Sequence, residues 1–177
     1  VNAYLEAHRY GNATSVDFWT AVARASGQPV DRIMPSFVNE PGVPLVDVSL
    51  ACEAGRAQLS LRQQRFTASA ASSGSGASTV WSIPLAIKTA TSADAPFQLF
   101  DTPSQALSLE PAGAQRAGSA CPAWAFVNRG AMGYFRTAYA PELLRAMAPD
   151  VESRLTPAER VSLVDDEWAL VRAGRHT

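Results

Sequence analysis

In Val46-Asp47-Val48-Ser49-Leu50-Ala51-Cys52-Glu53, the apolar residues Val46, Val48, Leu50 and Cys52 alternate with Asp47, Ser49 and Glu53. After a turn at Ala54-Gly55 the pattern resumes, Ala57, Leu59 and Leu61 alternating with Gln58, Ser60 and Arg62. A period of two on both sides of a glycine turn predicts a β-hairpin with one buried and one wet face. Downstream, Trp81, Ile83, Leu85 and Ile87 share one side and Ser82, Pro84, Ala86 and Lys88 the other. Pro84 donates no ladder bond, so that strand belongs at a sheet edge or has its proline N on the open side. Shorter strands are expected at 97–101, 105–109, 123–127 and 133–139. Six or seven short antiparallel strands with polar turns predict a β-sandwich over residues 43–139. Cys52 continues the apolar face and is expected to be a reduced core thiol, with a disulfide to Cys121 as the alternative. Residues 67–79 are almost all Ser, Ala, Gly and Thr, a solvated loop and the expected most mobile internal segment.

The flanks change to helical periods. Val1, Tyr4, Leu5 and His8 lie at helical spacing, with Gly11 as a left-handed stop. Thr14 or Ser15 can cap a second helix carrying Phe18, Trp19, Val22 and Ala23, ended by Gly27. A third carries Val30, Ile33, Met34, Phe37 and Val38. Pro35 is tolerable there only if the helix begins near Asp31, where first-turn N–H groups lack intrahelical partners. On the C-terminal side, Pro141 opens a short helix through Met147. Thr156-Pro157-Ala158-Glu159 is a capping box with proline at the first helical position. Val161, Val164, Trp168 and Val171 make the apolar stripe of that last helix, which Gly174 ends. The fold class is therefore mainly β with helical ends.

Composition excludes several functions. The 177 residues carry 15 basic and 16 acidic side chains, a net charge of −1, which argues against a nucleic-acid or anionic-membrane partner. At 47% hydrophobic and 18% charged, the chain is too apolar to be disordered. Lys88 is the single lysine among arginines, which with the abundant alanine reads as GC-rich coding bias. Two cysteines cannot make a disulfide-dense scaffold or a thiolate zinc site, and two histidines, His8 and His176, cannot supply an H-E-x-x-H helix. No run approaches the roughly 18 apolar residues that span a bilayer. The chain opens without Met and inside a helix, so we expect a segment of a larger protein.

The candidate chemistry is thin. Gly74-Ser75-Gly76 lacks the lysine and helix of a phosphate cradle. Asn12-Ala13-Thr14 is a formal glycosylation sequon, but a capping role for Thr14 explains it better. Asp165, Asp166 and Glu167 are read as a solvated helical face rather than a paired-carboxylate site. His8 has no second ligand at i+4. No Ser-His-Asp or Cys-His set assembles from two terminal histidines. We assign no catalytic, cofactor-binding or metal residue.

Three ordered stretches nevertheless resemble one family. The first runs from Tyr4-Leu5-Glu6-Ala7-His8-Arg9-Tyr10-Gly11-Asn12-Ala13-Thr14 through Asp17-Phe18-Trp19 and Ser26-Gly27-Gln28-Pro29-Val30 to Glu40-Pro41-Gly42-Val43-Pro44. The second is Leu59-Ser60-Leu61-Arg62-Gln63-Gln64-Arg65-Phe66 followed by Trp81-Ser82-Ile83-Pro84-Leu85. The third is Asn128-Arg129-Gly130, then Gly133-Tyr134-Phe135-Arg136 and Tyr139. Together they resemble the zinc aminopeptidases of the aminopeptidase N (gluzincin) type. Phe37 stands where many members have Trp, and Phe135 replaces a Tyr. The resemblance implies three parts: the last helices of a catalytic domain (1–42), a β-sandwich spacer (43–139) and the start of a C-terminal helical domain (140–177). It implies a zinc-dependent parent that removes N-terminal residues from peptides, with its two His and one Glu ligands, its catalytic Tyr and its amine-binding Gly-Ala-Met-Glu-Asn strand all upstream. Gly130-Ala131-Met132 is not that strand, since Gly133 follows instead of Glu. This chain alone is then inactive and binds no zinc. The other reading is a stand-alone fibronectin-like binding module.

Two expectations concern the joins. Arg136 is either a bidentate donor to a neighbouring domain or half of an internal strand-to-loop salt bridge. The stripes of Phe18, Trp19 and Val22 and of Val161, Val164 and Trp168 are expected to pack on the neighbouring domains of the same polypeptide. In this chain alone the N-terminal helices are expected to dock on the sandwich. The freer C-terminal helix is expected to support self-association.

Overall fold

The computed structural model describes residues 1–53, 55–68, 79–92, 97–109 and 121–176. It divides into two compact units, Val1–Pro41 and Gly42–Thr177. Most of the Gly/Ser loop expected between Thr67 and Thr79 lies outside the described residues.

The first unit is three helices: α1 (Asn2–Ala7), α2 (Ser15–Ser26) and α3 (Val30–Val38). Thr14 caps α2, its hydroxyl accepting from the Asp17 N–H while the Asp17 carboxylate accepts from the Thr14 N–H at 2.8 Å. Those bonds hold the Asp17 carboxyl below the usual range. Gly27 ends α2 in the left-handed region, as its position predicts. After α1 the left-handed residue is Tyr10 (φ 57°), not Gly11. Pro35 sits in the middle of α3 rather than its first turn, so one i→i−4 bond is lost and the helix still runs on to Val38. Trp19 is the buried residue of α2, and Tyr4 meets Phe18 edge to face at 5.2 Å.

The second unit is built on the predicted hairpin. β1 (Pro44–Glu53) and β2 (Arg56–Arg65) pair antiparallel over their whole length, Val48 opposite Leu61 and Leu50 opposite Leu59. Leu45, Val46, Val48, Leu59 and Leu61 are buried, each worth about 1.5–3 kcal/mol against exposure. β3 (Ile83–Leu85), β4 (Lys88–Thr89), β5 (Gln98–Phe100), β6 (Ser104–Ser108), β7 (Ala125–Phe126) and β8 (Arg136–Tyr139) follow. The main sheet has the order β6-β2-β1-β8, and β3-β5 and β4-β7 make two small pairs.

The all-antiparallel expectation fails at β8, which runs parallel to β1. The chain is also not mainly β: helix accounts for 40% and strand for 27%. Two predicted strands, over 81–88 and 133–139, begin later than their alternation suggests, where side-chain amides hold the backbone instead. The buried Gln63 accepts from the Trp81 N–H at 2.8 Å and donates to the carbonyls of Trp81 (3.0 Å) and Thr102 (2.8 Å). Trp81 therefore joins the core without being in a strand. Asn128 does the same for Gly133, accepting from its N–H at 2.8 Å and donating to its C=O at 3.3 Å, so the expected strand over 133–139 begins only at Arg136. A Cβ on Gly133 would collide with the Phe135 ring and lie 3.0 Å from Asn128 Oδ1.

Cys52 is not a core thiol. β1 leaves the core after Ser49, Cys52 is exposed near the hairpin tip, and it forms a disulfide with Cys121. Alternation placed it on the correct side of the strand but past the end of the covering layer.

The last elements are α4 (Pro141–Met147), α5 (Val151–Arg154) and α6 (Pro157–Arg172), with a 3₁₀ turn at Ala148–Asp150 between α4 and α5. Leu143, Met147 and Leu155 are buried, and the Trp124 indole N–H donates to the Asp150 carboxylate at 2.7 Å.

Replacing Gln63 with Ala strands three backbone groups, two of them on the buried Trp81. We expect Gln63→Ala to cost about 3 kcal/mol in denaturant melts, each unsatisfied group contributing about 1 kcal/mol or more.

Candidate functional site

The C-terminal helix carries the strongest local signal and the densest polar chemistry. Thr156 and Glu159 form the predicted reciprocal cap, with the Glu159 carboxylate accepting from the Thr156 N–H at 2.7 Å. Yet Glu159 is only 1% exposed, because it also reaches out of its own helix. It accepts from the Lys88 ammonium at 2.9 Å and from the Gly130 N–H at 2.9 Å. Gly130 has φ 76°, so this turn suits glycine, and Ala131 beside it is also left-handed. Burial pushes the Glu159 carboxyl up, but the N–H groups of Gly130 and Thr156 and the Lys88 charge outweigh it and hold it below the usual range.

Two turns further on, Asp166 makes a second anchor and is 4% exposed. Its Oδ2 accepts from the Thr137 N–H at 2.9 Å and hydroxyl at 2.8 Å, and Oδ1 accepts from Arg136 at 3.1 Å. Arg136 also donates to the Asp165 carboxylate at 2.8 Å and lies over the Phe66 ring, 5.3 Å from its centre. Here burial wins, and the Asp166 carboxyl is raised despite its donors. Nearby, burial also raises the Tyr139 phenol, whose oxygen accepts from the Val127 N–H at 3.0 Å.

Glu159, Leu163, Asp166 and Leu170 thus form the inward face of α6. The expected stripe points the other way: Val161 is 69% exposed, Val164 66% and Trp168 62%. In this chain the stripe is therefore left outward, and the expectation that this helix is loosely joined is corrected. The acidic run is likewise no uniformly solvated face. Asp166 is buried, Asp165 pairs with Arg136, and Glu167 meets His176 Nδ1 at 2.7 Å. Arg136 is one half of an internal salt bridge, but to a helix rather than a loop. The helix ends as its glycine predicts, the N–H groups of Gly174 and Arg175 returning to the carbonyls of Val171 and Leu170.

A cavity of about 680 Å³ opens between this helix and the loop before β8, with Ala131, Tyr134, Arg136, Val161, Ser162 and Asp165 among its lining residues. Its charged groups already pair with each other. A shallower groove of about 410 Å³ lies along Val161, Val164 and Trp168. In the first unit a groove of about 500 Å³ holds Tyr4, His8, Asp17 and Arg24. Among the described residues no group of three or more His, Cys, Asp or Glu stands close enough to hold a metal ion, and no helix is long and apolar enough to cross a membrane. Sequence reasoning misses the two anchors because it places acids on the outward face. The single Lys88 and the i, i+4, i+7, i+11 spacing of Glu159, Leu163, Asp166 and Leu170 were the available signals.

Removing the Glu159 carboxylate leaves a mostly buried ammonium and two N–H groups unpaired. We expect Glu159→Ala to cost about 3–5 kcal/mol and Val164→Ser within about 0.5 kcal/mol, both read from denaturant midpoints of this chain. The pH dependence has a definite sign. Glu159, lowered in the folded state, contributes stability above the ordinary glutamate value of about 4.3, and this is lost on acidification. Asp166, raised, has the opposite sign and lowers stability as the pH rises through its folded value. Glu159→Gln should therefore flatten the loss of stability between about pH 5 and about pH 3, measured by chemical denaturation across that range.

Similarity to known proteins fits this arrangement. Residues 124–177, which include both anchors and their partners Gly130, Arg136 and Thr137, match the family described as ERAP1-like C-terminal domain. The chain is 31% identical over 176 residues to the puromycin-sensitive aminopeptidase of Caenorhabditis elegans, covering 97% of this chain and 18% of that protein. It is 28% identical to aminopeptidase M1 of Arabidopsis thaliana, over 97% of this chain and 19% of that one. It is also 28% identical to tricorn protease-interacting factor F2 of Thermoplasma acidophilum, over 99% of this chain and 19% of that one. The chain spans about a fifth of the length of these curated relatives. The resemblance noted on the sequence therefore stands: from end to end this chain is similar to a segment of the aminopeptidases of the aminopeptidase N type.

Proposed function

We infer that this chain is a non-catalytic spacer segment of a zinc-dependent aminopeptidase that removes N-terminal residues from peptides. The observation that carries the reading is similarity over nearly the whole chain to aminopeptidases several times its length. In this reading residues 1–42 close a catalytic domain, 43–139 form the spacer, and 140–177 open a C-terminal helical domain. The four-stranded sheet and the two short strand pairs would be the layers of one β-sandwich. Zinc and the peptide belong to the parent, held by residues outside this chain.

The physical job is to hold two neighbours at a fixed separation. Helix α6 suits it, because Glu159 and Asp166 fix its inward face to the sheet unit while Val161, Val164 and Trp168 remain outward. That outward face is where the rest of the helical domain would pack. Self-association through the same face is the competing use, and it would vanish in the full-length polypeptide.

The test compares the full-length polypeptide with residues 1–177 alone. We expect about one zinc per chain and chelator-sensitive hydrolysis of an aminoacyl amide from the former, and neither from the latter. Trp168→Glu should lower the stability of the full-length protein by about 1.5–3 kcal/mol and leave residues 1–177 within about 0.5 kcal/mol. A full-length product without a His-His-Glu ligand set, or a zinc-dependent peptidase activity in residues 1–177, would overturn the reading.

A further inference from the structure

The Cys52–Cys121 disulfide joins two places that need not be joined for the sheet to form. Its Cα atoms are 6.1 Å apart, and these are the only two cysteines of the chain, so no rival pairing exists within it. The two cysteines differ in exposure. Cys52 is exposed, beyond the point where β1 leaves the core, and only Glu53 follows it in the strand. Cys121 is half-buried and is followed by the buried Pro122 and the fully buried Trp124. Trp124 is held independently of the disulfide, by the core and by Asp150. The hairpin is held by its own ladder from Pro44 opposite Arg65 to Glu53 opposite Arg56. Opening the bond would therefore untie the hairpin tip from the segment at Cys121 and leave the sheet in register.

We propose that Cys52–Cys121 is a thiol–disulfide exchange site, opened by attack of a solvent thiolate on the Cys52 sulfur. With glutathione as the probe, the thiolate forms a new S–S bond to Cys52, the Cys52–Cys121 bond breaks, and Cys121 leaves as a thiolate that takes a proton from water. A second glutathione thiolate attacks the glutathione sulfur of that mixed disulfide, releasing Cys52 as a thiol and forming oxidised glutathione. Two thiols supply the two electrons that reduce one disulfide. The direction of attack follows from access, since the sulfur a nucleophile can reach is the one it becomes bonded to. A dithiol protein of the thioredoxin class offers the same chemistry, and its larger size is the difference the experiment uses.

The experiment uses the purified full-length protein under native conditions. It is exposed briefly to glutathione or to reduced thioredoxin, quenched with iodoacetamide and digested with trypsin. The peptides that report are Ile33–Arg56 and Ala117–Arg129, which should be cross-linked before any thiol is added. After glutathione we expect the glutathione mass on the Cys52 peptide and the alkyl group on the Cys121 peptide. Thioredoxin giving two alkylated peptides faster than glutathione at equal thiol would assign a protein partner, and the reverse order a small-molecule thiol. Hydrogen exchange should quicken on reduction at residues 51–53 and stay unchanged at 60–63. Free thiols at both positions in the untreated protein would overturn the proposal. So would glutathione trapped on Cys121, or exchange no faster than global unfolding. None of these outcomes depends on peptidase activity or zinc, so the spacer reading stands or falls separately.

Discussion

The second unit depends on a buried carboxylate. Glu159 serves its own helix as the capping-box acid and serves the rest of the unit as the acceptor for Lys88 and Gly130. A lone carboxylate in that position would be expelled toward water or protonated, because desolvating a charge costs several kcal/mol. Three donors from three separate places offset that cost. The arrangement is demanding: the helix start, the strand carrying Lys88 and the turn at Gly130 must all be in place before the carboxylate has its full set of donors. That interdependence sets the position of α6 on the sheet unit.

Asp166 repeats the device two turns on with a different balance. Its donors come from neighbouring residues of β8, and burial still raises its pKa. The two anchors have opposite pH signatures on one helix face. A pair of carboxylates in such positions invites a catalytic reading, but every oxygen that approaches a partner meets an N–H, an ammonium, a guanidinium or a hydroxyl of the fold itself. They are structural groups, and their consequence is orientation. With the inward face satisfied by polar anchors plus Leu163 and Leu170, the apolar residues Val161, Val164 and Trp168 are left to the outside. A helix fixed on one side and apolar on the other fits a segment that joins two larger bodies.

Side-chain amides play a comparable part in the sheets. Gln63 and Asn128 offer a donor and an acceptor in the geometry of a peptide group, and each replaces a piece of strand pairing. This accounts for the late starts of β3 and β8 beside a well-buried core. It also gives a physical reason for Asn128 and Gly133 to stand five residues apart: the amide closes the loop, and Gly133 leaves room for Phe135.

Local features were determined by the sequence itself. The hairpin of β1 and β2, both capping boxes, the ends of α2 and α6 at Gly27 and Gly174, and the extent of α4 follow from residues within a few positions of one another. Their physics is short-range: alternation, a hydroxyl reaching a nearby N–H, a glycine taking positive φ. What only the tertiary structure decided involves partners far apart in the chain. Lys88 and Glu159 are separated by 71 residues and Arg136 and Asp165 by 29. On helix α6, hydrophobic spacing singles out Val161, Val164 and Trp168. The real inward face includes two acids whose burial is favourable only because distant donors meet them. Cys52 shows the same limit, since its strand period was right and the extent of the covering layer was not legible. Periodicity reports which residues share a face, while the partners that the fold brings together decide which face is turned inward.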